Sequence, residues 1–165
     1  MRTMLIYIIV LFFCVSCQGQ QSKKSIPSRT EIIDTLNVLT LKEKRYKIAH
    51  LGNRDNGREQ IQLLKNNIQI SSILLPVADE EVKNFSVNKM EETQKGFKIS
   101  VDWGGGNYFY ERIFFFSYKE NKFYLDTLEI NNFTQEPEKK TTITKAINPP
   151  IEISKLNIFD YIKND

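Results

Sequence analysis

The chain offers few side chains that commonly act in catalysis. His50 is its one histidine, and its two cysteines are Cys14 and Cys17. A serine hydrolase would need His50 as a general base beside a serine in a Gly-x-Ser-x-Gly turn, and the sequence contains no such turn. Zinc sites draw mainly on histidine and cysteine, so one histidine would leave carboxylates as the main ligands. We therefore expect no enzyme, no metal and no cofactor.

Neighbouring carboxylates are the remaining candidates for acid–base chemistry. Two well-placed acids suffice for glycoside hydrolysis, and acids adjoin one another at Glu91 and Glu92 and at residues 79–81. Both runs lie among polar residues, which is typical of solvated turns. These acids are therefore predicted to be structural.

Tyrosines are concentrated in residues 97–130 and could form a binding surface. The run 108–118 alternates so that its tyrosines share one strand face with Arg112. An exposed face of this kind could stack a sugar or a base. A buried one would be core, which we favour because half-buried pleated surfaces select aromatic residues. The candidate ligand-binding residues are Tyr108, Tyr110, Arg112, Tyr118 and Tyr124.

Two glycine-containing loops resemble ligand-binding motifs without matching them. The glycines at 104–106 lead into another strand and no Gly-Lys-Ser/Thr follows, which excludes a phosphate-binding loop. Residues 52–60 loosely resemble the aspartate-glycine loop of calcium-binding repeats. With Gly57 aligned as the loop glycine, no ligand position holds a carboxylate and one holds Arg54. Calcium needs several hard, negatively charged oxygens, so both loops are predicted to be turns.

The first residues predict export and lipid attachment. Arg2 precedes an apolar run at 4–15, which has the length of a signal-peptide core and is short for a permanent membrane span. The run ends in the sequence CVSC at 14–17. This end resembles the lipobox of a bacterial lipoprotein signal, with Cys17 as the lipidated residue, and the composition is similar to that of Bacteroidetes lipoproteins. An ordinary signal peptide or an N-terminal membrane anchor is the alternative.

The resemblance implies where the protein resides. Acylation of Cys17 would anchor it to the membrane almost irreversibly, because each buried methylene contributes about 0.8 kcal/mol. The residues after Cys17 carry no acidic run of the kind associated with surface export. The implied location is the cell envelope, at the periplasmic face of the outer membrane. With Cys14 removed and Cys17 acylated, the domain would depend on its hydrophobic core rather than on a disulfide.

Length and charge define the domain organisation. The 165-residue chain has a net charge of +3, with basic and acidic residues interspersed. No dense basic stripe is present, so a nucleic-acid partner is not expected. The chain divides into a signal peptide (1–16), a flexible tether (17–30) and a single β-rich domain (31–165).

Hydrophobic periodicity predicts the fold class. Residues 97–103 alternate cleanly between apolar and polar, and turn signals at 65–67 and 119–122 separate further apolar runs. Residues 35–51 are predicted to form a hairpin, with a helix as the rival. The expected fold is mostly β, a single antiparallel β-sheet roll or sandwich of about seven to nine strands with little helix.

Several local features refine this expectation. Apolar residues on both faces of the run 108–118 predict a central strand covered on two sides. A bulge is expected near Asp126 and Thr127, where the apolar phase changes. The prolines at 149–150 are expected to end regular structure. Short helical turns are predicted at 78–82 and after Ser154, with Ser154 as the cap.

Two tripeptides resemble a modification site. Asp34-Thr35-Leu36 and Asp126-Thr127-Leu128 are similar to the Asp-Thr-aliphatic acceptor of O-glycosylation in Bacteroidetes envelopes. The resemblance makes Thr35 and Thr127 candidate acceptors.

Two functional hypotheses follow. The first is a lipid-anchored protein-interaction module, such as an immunity or inhibitor lipoprotein or an accessory subunit, with a protein partner. The second is a glycan or small-ligand binding β domain that uses an aromatic face.

Overall fold

The computed structural model describes residues 29–38, 46–78 and 82–162. The predicted signal peptide, lipidated Cys17 and most of the tether lie outside these residues, as does most of the helical turn predicted at 78–82. Within the described ranges, no helix is long and apolar enough to cross a membrane.

Nine strands in the described residues form two antiparallel sheets, and each strand pairs with the next along the chain within its sheet. The first sheet contains β1 (Thr30–Val38), β2 (Tyr46–Asn53), β3 (Glu59–Lys65) and β4 (Ile68–Leu74). The second contains β5 (Ser86–Thr93), β6 (Gly96–Gly105), β7 (Tyr108–Lys119), β8 (Lys122–Thr134) and β9 (Lys139–Glu152). Two short 3₁₀ turns follow at Ile153–Lys155 and Ile158–Asp160. The predicted fold class is confirmed.

Left-handed residues set the register of the hairpins. Asn66 and Asn67 have φ of 53° and 64°, and Glu120 and Asn121 have φ of 51° and 65°. Positive φ at both residues of a two-residue loop matches the twist of the strands it joins. The turn signals at 65–67 and 119–122 were therefore sufficient to place these hairpins.

The two sheets enclose one hydrophobic core. The inward residues of β6 are almost fully buried, as their alternation predicts, with Phe97 and Val101 at 0% exposure. Phe97 stacks on Phe116 of β7 with 4.7 Å between ring centroids. The first sheet contributes Tyr46, whose ring meets Phe123 of β8 edge-on at 5.2 Å. Aromatic contacts between the two sheets thus bury one face of the second sheet in the core.

The other face of the second sheet is open to solvent. β7 is the central strand of five, as predicted, but Phe109 on its outer face is 43% exposed. The expectation that both faces of β7 are covered was therefore wrong. Its outer apolar residues form a surface instead of a second core.

The prolines at 149–150 do not end regular structure, because β9 continues to Glu152. β9 is an edge strand, where a missing N–H need not break a ladder. Its pairing passes from Ala146 opposite Thr127 to Ile151 opposite Leu125, so residues 147–150 form a bulge. The register shift between Leu125 and Thr127 confirms the bulge predicted near Asp126.

The helical turns after β9 use a different cap from the predicted one. The carbonyl oxygen of the Asn157 side chain accepts the N–H of Phe159 at 3.3 Å, so Asn157 caps the second turn. The Ser154 hydroxyl donates instead to Glu152 at 2.6 Å.

Candidate functional site

A groove of about 510 Å³ lies where the outer face of the second sheet meets the β6–β7 hairpin. All five strands of the second sheet and the segment before β5 contribute to it. Its lining residues are Asn84, Asn88, Asp102, Trp103, Gly104, Phe109, Tyr110, Glu111, Asn131, Phe133 and Lys140.

An aromatic row forms one part of this groove. Phe109 of β7 lies opposite Phe133 of β8, with 6.3 Å between ring centroids and 49° between ring planes. Lys140 of β9 follows Phe133 in the same row. The row therefore presents two aromatic rings with an ammonium group at one end.

A polar row lies next to the aromatic row. In strand register it crosses all five strands of the sheet. Its members, from β5 to β9, are Ser86, Asp102, Glu111, Asn131 and Thr142. Because side chains two residues apart share a strand face, the two rows are separated by about 7 Å.

Hydrogen bonds hold the polar row in one arrangement. The Asn131 amide donates to Glu111 at 3.0 Å and to Glu129 at 2.9 Å, and its oxygen accepts the Thr142 hydroxyl at 2.6 Å. The Ser100 hydroxyl donates to the other oxygen of Glu111 at 2.7 Å. Side chains fixed in this way offer a ligand lone pairs at set positions, so little ordering is needed on binding.

Backbone contacts close the hairpin end of the groove. Gly104 has φ of +127°, and its N–H donates to the carbonyl of Lys83 at 2.7 Å. The Asn84 amide returns a hydrogen bond to the Gly104 carbonyl at 2.9 Å. These bonds seat the segment before β5 against β6, where it forms a side wall.

A second set of contacts joins the two hairpin tips. The Asn107 amide donates to the Glu136 carbonyl at 2.8 Å, and its oxygen accepts the Glu136 N–H at 2.6 Å. The β6–β7 and β8–β9 tips are thereby held together, which keeps Phe109 and Phe133 in register.

The structure does not bring the five predicted ligand-binding residues together on one surface. Tyr108 is 55% exposed, whereas Arg112 is 1% exposed. Tyr110 lines the groove, and its ring stacks on Trp103 at 5.5 Å. Tyr118 packs on the core, and Tyr124 is half-buried on β8. The inward tyrosines are mainly core, as the favoured interpretation expects.

Arg112 is a structural cation of the core. Its Nη1 lies 2.9 Å from the side-chain oxygen of Asn132 and 3.3 Å from the Asn131 carbonyl. Its guanidinium carbon lies 4.9 Å from the centre of the Trp103 ring, within cation–π range. The residue therefore stabilises the inner side of the same strands whose outer side forms the groove.

The two candidate glycosylation sites differ in accessibility. Thr35 is exposed on the edge strand β1. Thr127 is half-buried on β8, between β7 and β9. A transferase would reach Thr35 more easily.

The loop that resembles a calcium motif uses its polar side chains internally. The Asn53 side chain accepts the N–H of Asp55 at 2.9 Å, and the Asn56 side chain accepts the N–H of Arg58 at 3.0 Å. Gly57 has φ of +65°. These bonds make a tight β2–β3 turn. In the described part of the chain, no group of three or more His, Cys, Asp or Glu residues is arranged to hold a metal ion.

His50 lies far from the groove, in the first sheet. It is 4% exposed, and its Nε2 lies 2.6 Å from a carboxylate oxygen of Glu59. The contact satisfies a buried imidazole between β2 and β3. The Glu91 carboxylate forms ion pairs with the ammonium groups of Lys89 and Lys98, at 2.7 and 3.0 Å. These contacts lower the pKa of Glu91.

The residues that build the groove were not identified from the sequence. Phe109 and Glu111 alternate with the tyrosines of β7, so alternation alone places them on the opposite strand face. Asn131 and Phe133 join them only through the β7–β8 register, which is shifted by the bulge at Asp126, opposite Phe115 and Phe116. The alternation of β7 therefore indicated that Phe109 and Glu111 share a face, but no sequence signal placed Asn131 and Phe133 beside them.

The groove combines an apolar surface with fixed hydrogen-bonding groups. Asp102 and Glu111 supply carboxylate acceptors, and Asn84 and Asn88 supply amides. Such a site suits a small ligand with one apolar face and several hydroxyl groups. This interpretation rests on the geometry alone, because no family model, no curated protein and no solved structure matches the chain.

Proposed function

We propose that the protein is a lipid-anchored binding protein of the bacterial cell envelope, and that its outer-face groove binds a saccharide without catalysing a reaction. One observation carries this proposal: the Phe109–Phe133 pair lies directly beside the polar row of Asp102, Glu111 and Asn131. The lipid anchor and the envelope location rest on the lipobox-like sequence that ends at Cys17.

The two rows match the two faces of a sugar. A pyranose ring has an apolar face of C–H groups that packs on aromatic rings, and its hydroxyls hydrogen-bond to carboxylates and amides. A separation of about 7 Å between the rows lets one ring, or two linked rings, contact both. The volume of about 510 Å³ lies within the usual range for small-ligand sites.

The charged side chains that line the groove favour a neutral ligand over an anionic one. Asp102 and Glu111 place two carboxylates in the groove, against one ammonium from Lys140. A phosphorylated or sulfated ligand would meet net negative charge. A neutral saccharide fits better, because its hydroxyls can donate to both carboxylates.

The geometry of Glu111 supports binding rather than hydrolysis. Its two oxygens accept hydrogen bonds from Ser100 and Asn131, at 2.7 and 3.0 Å. Both oxygens are therefore held in place by neighbouring side chains of the same sheet, as suits a fixed acceptor for a ligand hydroxyl. We therefore assign Glu111 to ligand positioning.

A protein-interaction role is the second candidate, and one observation favours it. The edge strand β4 exposes large apolar side chains, with Ile68 at 69% and Leu74 at 51% exposure. Exposed apolar groups that cluster on a protein surface often mark a contact with another protein. An immunity-like, inhibitor-like or accessory role would use this edge and leave the groove empty.

A glycan array tests the saccharide proposal. The probe is the chain from residue 17 with Cys17→Ser, which retains every described residue. We expect selective binding to neutral glycans, weakened about tenfold by Phe109→Ala because a stacking ring is lost. Tyr108→Ala is the matched control, since Tyr108 is a neighbouring exposed aromatic outside the groove.

Two results would overturn the saccharide proposal. One is the absence of binding to any glycan on the array. The other is binding that Phe109→Ala leaves unchanged. Capture of a single protein from the envelope fraction, together with a silent array, would support the protein-interaction role.

A further inference from the structure

The four edge strands of the two sheets differ in how they are protected. β1 carries Glu31 and Asp34, and β5 carries Lys89 and Glu91. β9 carries several lysines and two prolines. Charges and prolines on an edge are the usual obstacles to pairing with another strand. Each edge strand also contains a bulge, so bulges do not distinguish them.

β4 lacks these obstacles. Residues 66–78 include no charged residue, and the one proline, Pro76, follows the strand. Ile68, Ile70, Leu74 and Val77 are exposed by 69%, 47%, 51% and 47%. They are four of the ten large apolar side chains exposed in the described part of the chain, so exposed apolar surface is concentrated on this edge.

The backbone of β4 is available for pairing at this edge. The N–H of Leu75 donates to the Glu59 carbonyl at 3.0 Å, which orients Leu75 toward β3. Backbone groups of an antiparallel strand alternate in direction. Ser72 and Leu74 therefore direct their amides and carbonyls away from β3, toward the open edge.

We propose that two copies of this chain associate by antiparallel pairing of their β4 strands, with a two-fold axis at Ser72. In this register Ser72 lies opposite Ser72 of the second copy, and Ile70 lies opposite Leu74. The two four-stranded sheets then form one continuous sheet of eight strands. The pairing is independent of the groove, which lies on the other sheet.

The properties of β4 favour its own copy as the occupant. A two-fold axis places each strand against itself, so any charge near the axis meets a like charge. This would occur on β1 with its acids and on β9 with its lysines. β4 meets only uncharged side chains, and it pairs its apolar residues with one another. A charged peptide would find no counter-charge on this edge.

Sedimentation equilibrium of the full chain in detergent tests the proposal. We expect a dimer, with a dissociation constant that Leu74→Lys raises about tenfold or more, because it removes apolar burial and places lysines near each other. The control is Ile143→Lys, which adds the same charge at a residue of β9 that is 58% exposed. Circular dichroism verifies that both variants fold.

Cross-linking provides a second readout that does not disrupt the edge. In a full chain carrying Cys14→Ser and Cys17→Ser, Ser72→Cys should form a covalent dimer on mild oxidation, since Cα atoms of a hydrogen-bonded pair are about 5.5 Å apart. Asn37→Cys, at an exposed residue of β1 on the opposite edge of the same sheet, should not. A monomer at every concentration would overturn the proposal. So would a dimer that Leu74→Lys leaves intact and Ser72→Cys fails to cross-link.

Discussion

Glu111 of β7 and Asn131 of β8 lie directly opposite each other, with the Asn131 amide nitrogen 3.0 Å from a Glu111 carboxylate oxygen. The same amide donates to Glu129, and its oxygen accepts the Thr142 hydroxyl of β9. One side chain, 6% exposed, therefore joins three strands at the floor of the groove. The arrangement of the polar row therefore depends on Asn131.

Asn131→Leu should destabilise the fold. The substitution keeps side-chain size but removes the donors to Glu111 and Glu129. Leaving such partly buried groups without partners costs about 1–3 kcal/mol of unfolding free energy. Urea denaturation measures the change. Asn37→Leu, at an exposed residue of β1, is the control and should shift stability by no more than about 0.5 kcal/mol. Equal effects would contradict a structural role for the polar row.

Arg112→Ala should be among the most destabilising substitutions in the domain. Arg112 is 1% exposed and packs on Trp103, so truncation leaves a cavity and buried acceptors without a donor. We expect a loss of about 3–5 kcal/mol, with Arg112→Lys recovering little because one ammonium cannot replace the guanidinium fork. Chemical denaturation checks this. Arg58→Ala, at an exposed residue, is the control, and a similar small loss at both positions would refute the role in the core.

Gly104→Ala should distort the closed end of the groove. Gly104 has φ of +127°, and an added Cβ would lie 2.4 Å from the Tyr108 carbonyl oxygen. We expect a loss of about 2 kcal/mol or more from strain. Gly106→Ala is the matched control: it also has positive φ, but nothing lies within 4 Å of its added Cβ. Thermal melts compare the two. A larger loss of thermal stability in Gly106→Ala than in Gly104→Ala would contradict the idea that the close approach of Tyr108 is what requires glycine at position 104.

Alkaline pH should weaken the contact between the sheets at Tyr46. Burial, with the Tyr118 hydroxyl 3.4 Å away, raises the pKa of Tyr46 to about 12 from 10.0. A raised pKa in the folded state means that the stabilisation is complete below pH 10 and is lost as pH rises toward 12. Tyr46→Phe removes this titration, so stability should fall less steeply over that range. Unfolding free energies across the range, with Tyr108→Phe as control, measure the difference. If the unfolding free energy falls with pH at the same rate in Tyr46→Phe and in the unsubstituted chain, titration of Tyr46 does not contribute to the loss of stability.

Local patterns predicted most of the fold. Alternation in β6 and the left-handed asparagines of the hairpins are local signals, and each determines a strand or a turn without reference to the rest of the chain. The continuation of β9 through Pro149 was missed because tolerance of a proline depends on lying at a sheet edge. Edge or centre is a property of the assembled sheet.

The candidate site was harder to predict for the same reason. The tyrosines of β7 drew attention because they share one strand face, and that face is mostly core. The groove lies on the opposite face, where Phe109 meets Phe133 across a register shifted by a bulge. The change of apolar phase near Asp126 predicted this bulge, but which side chains become neighbours depends on how β7 and β8 pair. Local sequence patterns therefore could not predict that the aromatic row would lie beside the polar row.

An NMR titration of the isotope-labelled soluble form with its best array glycan tests the central claim most directly. The claim predicts amide shift changes concentrated at Phe109, Glu111, Asn131 and Phe133, saturating with glycan concentration. It also predicts little change along β4, which lies on the other sheet. Saturating shifts confined to β4, or no shifts at all, would contradict the assignment of the groove as the binding site.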